Sequence, residues 1–480
     1  MRIRANSSCQ IPSFHQKFLG ILLGAIGFLG GNVFWVRADL NNLPPGYSMT
    51  MVSSNVAASY ISQMAFRPGD LTHLYAVRSL GAGSKISRYD YDPVTGLLSN
   101  EFTPITNANN KEIIGLGFHG TNMYVTFDYG GSRTARPGDG RIARFMDPDG
   151  DGFFQVRHDF VHSINKGDHD VEQIQFKGDS LYVSIGGVGR KGDPAEENIY
   201  SMTIARIADI NQVVTDASQI GADFKGPINY LASPIEWTNT AGAANQLRYF
   251  ASGFRNPFGI AFDPDGDLWI TVNGNSDVGF FSDDFIYKKV HYGDEGEFPP
   301  PAFGFTKHIH GNPITNLVNF GVSPSPAGLD FIREGPDAGK AVVGRLGATK
   351  TNWLGRDLVL VDPNTGAWEQ IYQFSTNTSD YAACDVLRDP FGRFLVSDLG
   401  HNAVWLLRSP LPAPSLLVQK DGAALEFSWP LIAVEYGLEE TDDLGANSWT
   451  DVAATPEIRT NGIFLEVSAT NTVRFYRLKQ

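Results

Sequence analysis

The sequence reads as all-β, a six-bladed β-propeller followed by a small β-sandwich. Three observations carry this reading. One hairpin pattern recurs six times, and its copies lie about 50 to 90 residues apart, the length of a unit of a few strands. A proline-rich break then gives way to short alternating strands. An array of sandwiches would not need the same hairpin in every unit.

Residues 1–38 come first and stand apart. Arg2, Arg4 and Lys17 form a basic region, Phe18 to Leu29 an apolar one, and Val36-Arg37-Ala38 places small residues where a peptidase would cut. That layout predicts a secretory signal peptide and a secreted or periplasmic protein. An uncleaved anchor is the alternative, because the apolar run continues imperfectly to Val36. No other segment is long and apolar enough to span a bilayer, so no membrane span is expected after cleavage.

The propeller is expected over 39–408. Its hairpins are Phe66-Arg67-Pro68-Gly69 leading to Leu74-Tyr75-Ala76-Val77, Phe118-His119-Gly120 before Met123-Tyr124-Val125, and Phe176-Lys177-Gly178-Asp179 before Leu181-Tyr182-Val183. The fourth runs from Phe262 through Asp263-Pro264-Asp265-Gly266 to Leu268-Trp269-Ile270. A weaker copy centres on Phe331, and a sixth passes from Leu387 through Pro390 and Gly392 to Phe394-Leu395-Val396. Proline pre-sets the first φ of a turn and glycine takes the positive φ of a tight reversal. The intervals before Phe262 and Phe331 are the longest, which predicts insertions on the functional faces.

Residues 409–415, Ser-Pro-Leu-Pro-Ala-Pro-Ser, read as a stiff linker. Over 416–480 the expected strands are Leu425 to Trp429, Val434 to Leu438, Phe464 to Val467 and Val473 to Leu478, enough for a small sandwich module. With its Ser448-Trp449-Thr450-Asp451 turn, the module resembles the fibronectin-type appendages of secreted bacterial enzymes. Nothing in it reads as catalytic.

Charge and cysteine content narrow the function. The net charge is −14, and losing Arg2, Arg4, Lys17 and Arg37 with the leader makes the chain more acidic still. That argues against a nucleic acid or an anionic membrane as partner. Of two cysteines, Cys9 lies in the leader, which leaves Cys384 alone. An intrachain disulfide and thiolate zinc clusters are thereby excluded from the mature chain.

The loop before the fourth hairpin, Gly253-Phe254-Arg255-Asn256-Pro257, sets a cation beside a rigid sheet, where ligands are commonly met. Together with the hairpin it resembles the GxRNPxGLAFDPxGxLW segment of the glucose/sorbosone dehydrogenase family, the soluble quinoprotein six-bladed propellers. The likeness is specific over 253–269 and looser over 47–408. It implies an oxidoreductase acting on a sugar or related alcohol with PQQ, passing electrons to an acceptor the sequence does not name. By the resemblance Arg255 stabilises developing charge, Asn256 positions the reactants and His169, within 167–186, is the general base. Imidazole suits that task because it titrates near neutrality. Read without the family, Arg255 would be a structural partner of a neighbouring blade and His169 a solvated loop residue.

The chain departs from the family in two places. Where the glucose-oxidising branch orients its histidine with an aspartate stands Gly187, leaving Asp170 or Glu172 for that role. Where that branch holds the quinone carboxylates with arginines, Ala382-Ala383-Cys384-Asp385-Val386 has no cation, and Lys350 is the candidate that remains.

Two acidic clusters suggest Ca2+. Asp147, Asp149 and Asp151 alternate, with Gly152 at the sixth position, as in calcium loops. The twelfth position is His158 instead of glutamate. Asp277, Asp283 and Asp284 precede His291-Tyr292-Gly293, which resembles the family's NYG segment, near which its members bind calcium. A solvated turn is the alternative for both clusters. Two other functions stay open: a calcium-dependent hydrolase or lactonase with Asp277 and Asp284 as ligands, and a non-catalytic propeller binding glycans or proteins.

Overall fold

The computed structural model describes residues 43–53, 60–79, 84–105, 111–129, 140–164, 169, 171–187, 202–212, 247–274, 283–296, 312–322, 324–347, 355–375, 381–445, 448–469 and 473–480. The expected signal peptide lies outside them. Every sheet is built from short, mostly antiparallel strands, and no α-helix occurs among the described residues. No described helix is long and apolar enough to cross a membrane.

Six sheets form the blades. Their inner strands are Tyr60–Phe66, Lys111–His119, Val171–Lys177, Pro257–Phe262, Pro326–Phe331 and Ala383–Arg388, and each neighbours the next around a ring that returns from the sixth to the first. Three strands follow outward in blades one, two, four and five, and in the third two short strands, Asp294–Glu295 and Asn312–Pro313, extend the sheet further. The sixth blade takes its outermost strand from the other end of the propeller: Ser48–Ser53 pairs antiparallel with Ala403–Arg408. Closing the ring with both termini of the propeller leaves no gap between first and last blade.

The six expected hairpins each join an inner strand to the second strand. In the fourth, Asp263 ties the turn: its Oδ1 accepts the Asp267 N–H at 2.8 Å, its Oδ2 accepts the Trp269 indole N–H at 3.0 Å, and Gly266 takes φ +83°. Trp269 is fully buried against the edge of Phe331 in the fifth blade, 5.0 Å between ring centroids. The turn thus aims the aromatic that glues this blade to the next.

Each inner hairpin carries a β-bulge at the same place, as between Val171 and Ile174 or Pro257 and Ile260. At the bulge two residues of each inner strand lie opposite one of the second strand. In four blades the first of the two is Ile114, Phe258, Ala327 or Cys384, which pack together with Leu346; in the others it is Ser62 or Glu172. The second is glycine in blades two, four and five and Gln63, Gln173 or Asp385 in the rest. Gln173 Nε2 donates to Asp385 Oδ1 at 3.0 Å, from the third blade to the opposite sixth, and Gln63 Nε2 donates to Ile174 O at 2.9 Å. Side chains of facing blades thus meet inside the ring.

Two long connections leave from described strand ends, and most of each lies outside the described residues. After Thr203–Ile207 the chain leaves beside the third hairpin, with Ser180 Oγ donating to Ala208 O at 2.8 Å. The insertion after Asp283–Val290 returns along the outer edge of the third blade as Asp294–Glu295, pairing parallel at Ser252. Both leave from the hairpin end, because that is where a third strand hands over to a fourth.

Beyond Arg408 stand two small antiparallel sheets. One contains Leu417–Asp421, Ala424–Trp429, Gly462–Ser468 and Glu457–Arg459, the other Thr450–Asp451, Gly437–Thr441 and Phe475–Lys479. The strand expected from Val434 begins only at Gly437, because Pro430 starts a 3-10 turn over Leu431–Ala433. Residues 41–480 form one compact unit. Phe427, Trp429, Leu438 and Leu465 share a core with Tyr91 of the first blade and Phe391 of the sixth.

Candidate active site at the open face of the ring

All inner strands begin on one face and end in hairpins on the other. His169 precedes the third inner strand, and Arg255 and Asn256 precede the fourth, so the structure brings these three residues together on adjacent blades. Backbone bonds lace them: His169 N donates to Gly187 O at 3.2 Å, and Gly187 N donates to Arg255 O at 2.9 Å. Gly186 is the hinge of the arrangement. A Cβ there would lie 2.3 Å from the His169 Cβ and 2.5 Å from Asn256 Oδ1, so only glycine lets these two side chains meet.

Arg255 and Asn256 are buried, 7% and 6% exposed. Arg255 Nη1 donates to Asn273 O at 3.2 Å and to Gly274 O at 2.6 Å, tying the loop to the far side of its own hairpin. Asp284 lies close enough for the guanidinium to act on it. Its Oδ1 accepts the Gly274 N–H at 2.5 Å and its Oδ2 the Ser325 N–H at 2.7 Å. Burial pushes the Asp284 carboxyl up to about 7, against the lowering effect of those N–H groups and of Arg255. With both oxygens taken by backbone, Asp284 anchors the junction of the fourth and fifth blades.

Asp277 and Lys350 lie outside the described residues. Asp147, Asp149 and Asp151 do cluster, with one oxygen of each within 4.8 Å of the others. They form the turn after Gly140–Met146, on the hairpin face away from His169 and Arg255. Asp147 accepts the Gly150 and Gly152 N–H groups at 2.9 Å, and Asp149 accepts Gln155 Nε2 at 2.9 Å. A side chain at Gly152 would meet the Arg88 guanidinium, so a cation already adjoins this turn. His158, at the twelfth position, belongs to the next strand, Val156–Ile164.

Sequence reasoning passed over Asn273, opposite Asn256 on the hairpin with its N–H donating to Asn256 O at 2.9 Å. It also underrated Glu172, a buried acid at the inward bulge position of the His169 blade. Strand alternation hides such residues, because a bulge shifts the side-chain phase by one.

A tricarboxylate quinone requires several cations. The described residues bring one guanidinium to this site, with Nη1 engaged by two carbonyls. From the sixth blade come apolar Ala382, Ala383 and Cys384 and the buried acid Asp385. Among the described residues, then, one cation adjoins the site for a tricarboxylate to meet.

No family model matches the chain, and no curated protein matches it. Among solved structures, the chain is similar to a Trichoderma reesei carbohydrate-active enzyme of family AA12, with a TM-score of 0.57 at 15% identity over 79% of this chain and 100% of that one. It is also similar to the PQQ domain of pyranose dehydrogenase from Coprinopsis cinerea in its holo form, TM-score 0.53 at 12% identity over 78% and 98%. A glucose dehydrogenase gives 0.51 at 13% identity over 76% and 100%. At these identities what the chain shares with all three is the fold, the one on which such sugar dehydrogenases are built.

Proposed function

We propose that this protein is an exported oxidoreductase that oxidises a sugar or related alcohol at the open face of the propeller. The observation that carries the reading is the meeting of His169 and Asn256 across Gly186, with Arg255 on the same loop. Oxidising a carbinol removes a proton from oxygen and a hydride from carbon. His169 takes the proton, Arg255 opposes the negative charge that grows on oxygen, and Asn256 orients the hydroxyl.

The reading makes PQQ the redox partner. A bound quinone would draw its remaining cations from outside the described residues, Lys350 among them. Calcium at Asp147, Asp149 and Asp151 would hold their turn without touching the chemistry, since that turn lies on the other face.

Purified protein reconstituted with calcium and PQQ, then given aldoses and alcohols with an artificial electron acceptor, tests the proposal. The expected result is turnover that falls by roughly 10²–10⁴ in His169→Ala. Absence of both turnover and a quinone absorbance band overturns it. Lactone hydrolysis with calcium alone would instead assign the protein to the hydrolases.

A further inference from the structure

Asn256 and Asn273 stand opposite each other at the end of the fourth hairpin, one step beyond the pair Pro257 and Val272. Directly opposed residues of an antiparallel pair share a face, with Cβ atoms about 4.5–5.5 Å apart. In both amides Oδ1 is buried and accepts no hydrogen bond. A buried amide oxygen without a donor destabilises the folded chain, and this hairpin end carries two such residues facing each other across the strands. The fold has no need of them: the hairpin is held by backbone bonds and by Arg255 Nη1 on Asn273 O and Gly274 O.

Two adjacent acceptors call for a ligand that brings two adjacent donors. Hydroxyls bring the donors that amide oxygens accept, whereas a carboxylate brings none. The local chemistry thus suits a ligand with neighbouring hydroxyls better than a carboxylate.

We propose that Asn256 and Asn273 form a paired-amide seat for two neighbouring hydroxyls of a neutral sugar, and that Asn273 is a specificity-determining residue. This rests on the reading of the open face as a sugar site, and it adds a residue and a ligand preference to that reading. The seat selects by hydroxyl pattern, and an acidic sugar gains nothing there.

Binding and unfolding measurements test this without turnover. Glucose, galactose, mannose and xylose, their monodeoxy analogues and glucuronate are titrated calorimetrically into the wild type, Asn273→Leu and Asn273→Ala. Melting temperatures are recorded alongside. The expected result is neutral-sugar affinity at least tenfold weaker in both variants, with Asn273→Leu melting at or above the wild type because an unsatisfied amide has gone. The monodeoxy analogue lacking a seated hydroxyl should bind the wild type as weakly as its parent binds Asn273→Leu. Unchanged affinity in the variants, glucuronate bound as tightly as glucose, or no sugar binding to the wild type overturns the proposal. Sugar binding that depends on Asn273 without oxidation by any acceptor would support the seat and sink the oxidoreductase reading alone.

Discussion

Asp385 sits inside the ring with Oδ1 accepting Gln173 Nε2 and Oδ2 accepting the Met64 N–H at 2.7 Å. Burial pushes its carboxyl up to about 7, as it does that of Asp284. In the unfolded chain an aspartate ionises near 3.9. The stability these two residues contribute is therefore complete below that lower value and lost as pH rises through the upper one. The melting temperature should rise as pH falls from about 8 to about 5, each group contributing up to about 1.4 kcal/mol per pH unit in the window. Asp385→Asn should flatten the dependence, and a wild type that melts higher at the alkaline end would refute it. Glu101 acts in a separate range. Burial raises its pKa, but bonds from Lys85, Ser87 and Arg78 outweigh that and hold it near 2, so its contribution is lost only in stronger acid.

Along the elements, a hydroxyl on the second strand fastens each of four blades to its successor. Thr271 Oγ1 accepts the Gly259 N–H of its own inner strand at 2.9 Å and donates to Ala327 O of the next blade at 2.8 Å. Thr126, Ser184 and Ser397 make the equivalent pair of contacts. Thr271→Val keeps the shape and leaves a buried N–H and a buried carbonyl unpaired. It should cost about 1–3 kcal/mol by denaturant titration, and a loss near zero would show that the clasp is idle. Gly259→Ala should cost more, because its Cβ would lie 2.1 Å from Ala327 O. The hairpin turns were legible because Asp, Pro and Gly act within a few residues. The clasps were not, because they join residues 46 to 336 apart whose pairing exists only once the ring has formed.

For the whole molecule, the C-terminal sheets act as a clamp under the closure. Arg393 of the sixth blade binds Asp389 at 2.8 Å, the Tyr91 hydroxyl at 2.7 Å and the carbonyls of Pro93 and Val94 in the first blade. Glu435 of the module completes this set, bonding Arg393 Nη1 at 3.1 Å and Arg408 Nε at 2.6 Å. Pro410, in the stretch expected to be a stiff linker, lies against Gly46 and Gly335. A chain ending at Arg408 should melt well below the full chain and expose Phe391 and Tyr91 to a hydrophobic dye. Equal melting temperatures would show that the module is a passenger.

The sequence alone determined the all-β class, the number of blades and the loops that carry His169, Arg255 and Asn256. Those features depend on turn residues and short-range alternation, which one stretch of chain displays. The tertiary structure decided which of the candidate residues meet. It gathered His169 and Asn256 across Gly186, put Asp147, Asp149 and Asp151 on the other face, and turned Asp284 into an anchor between blades. It also set Asn273 opposite Asn256 and joined facing blades through Gln173 and Asp385. Radial packing of strands far apart in sequence produces these contacts, and the bulge in each inner strand changes which side chains point inward. No local pattern records either effect.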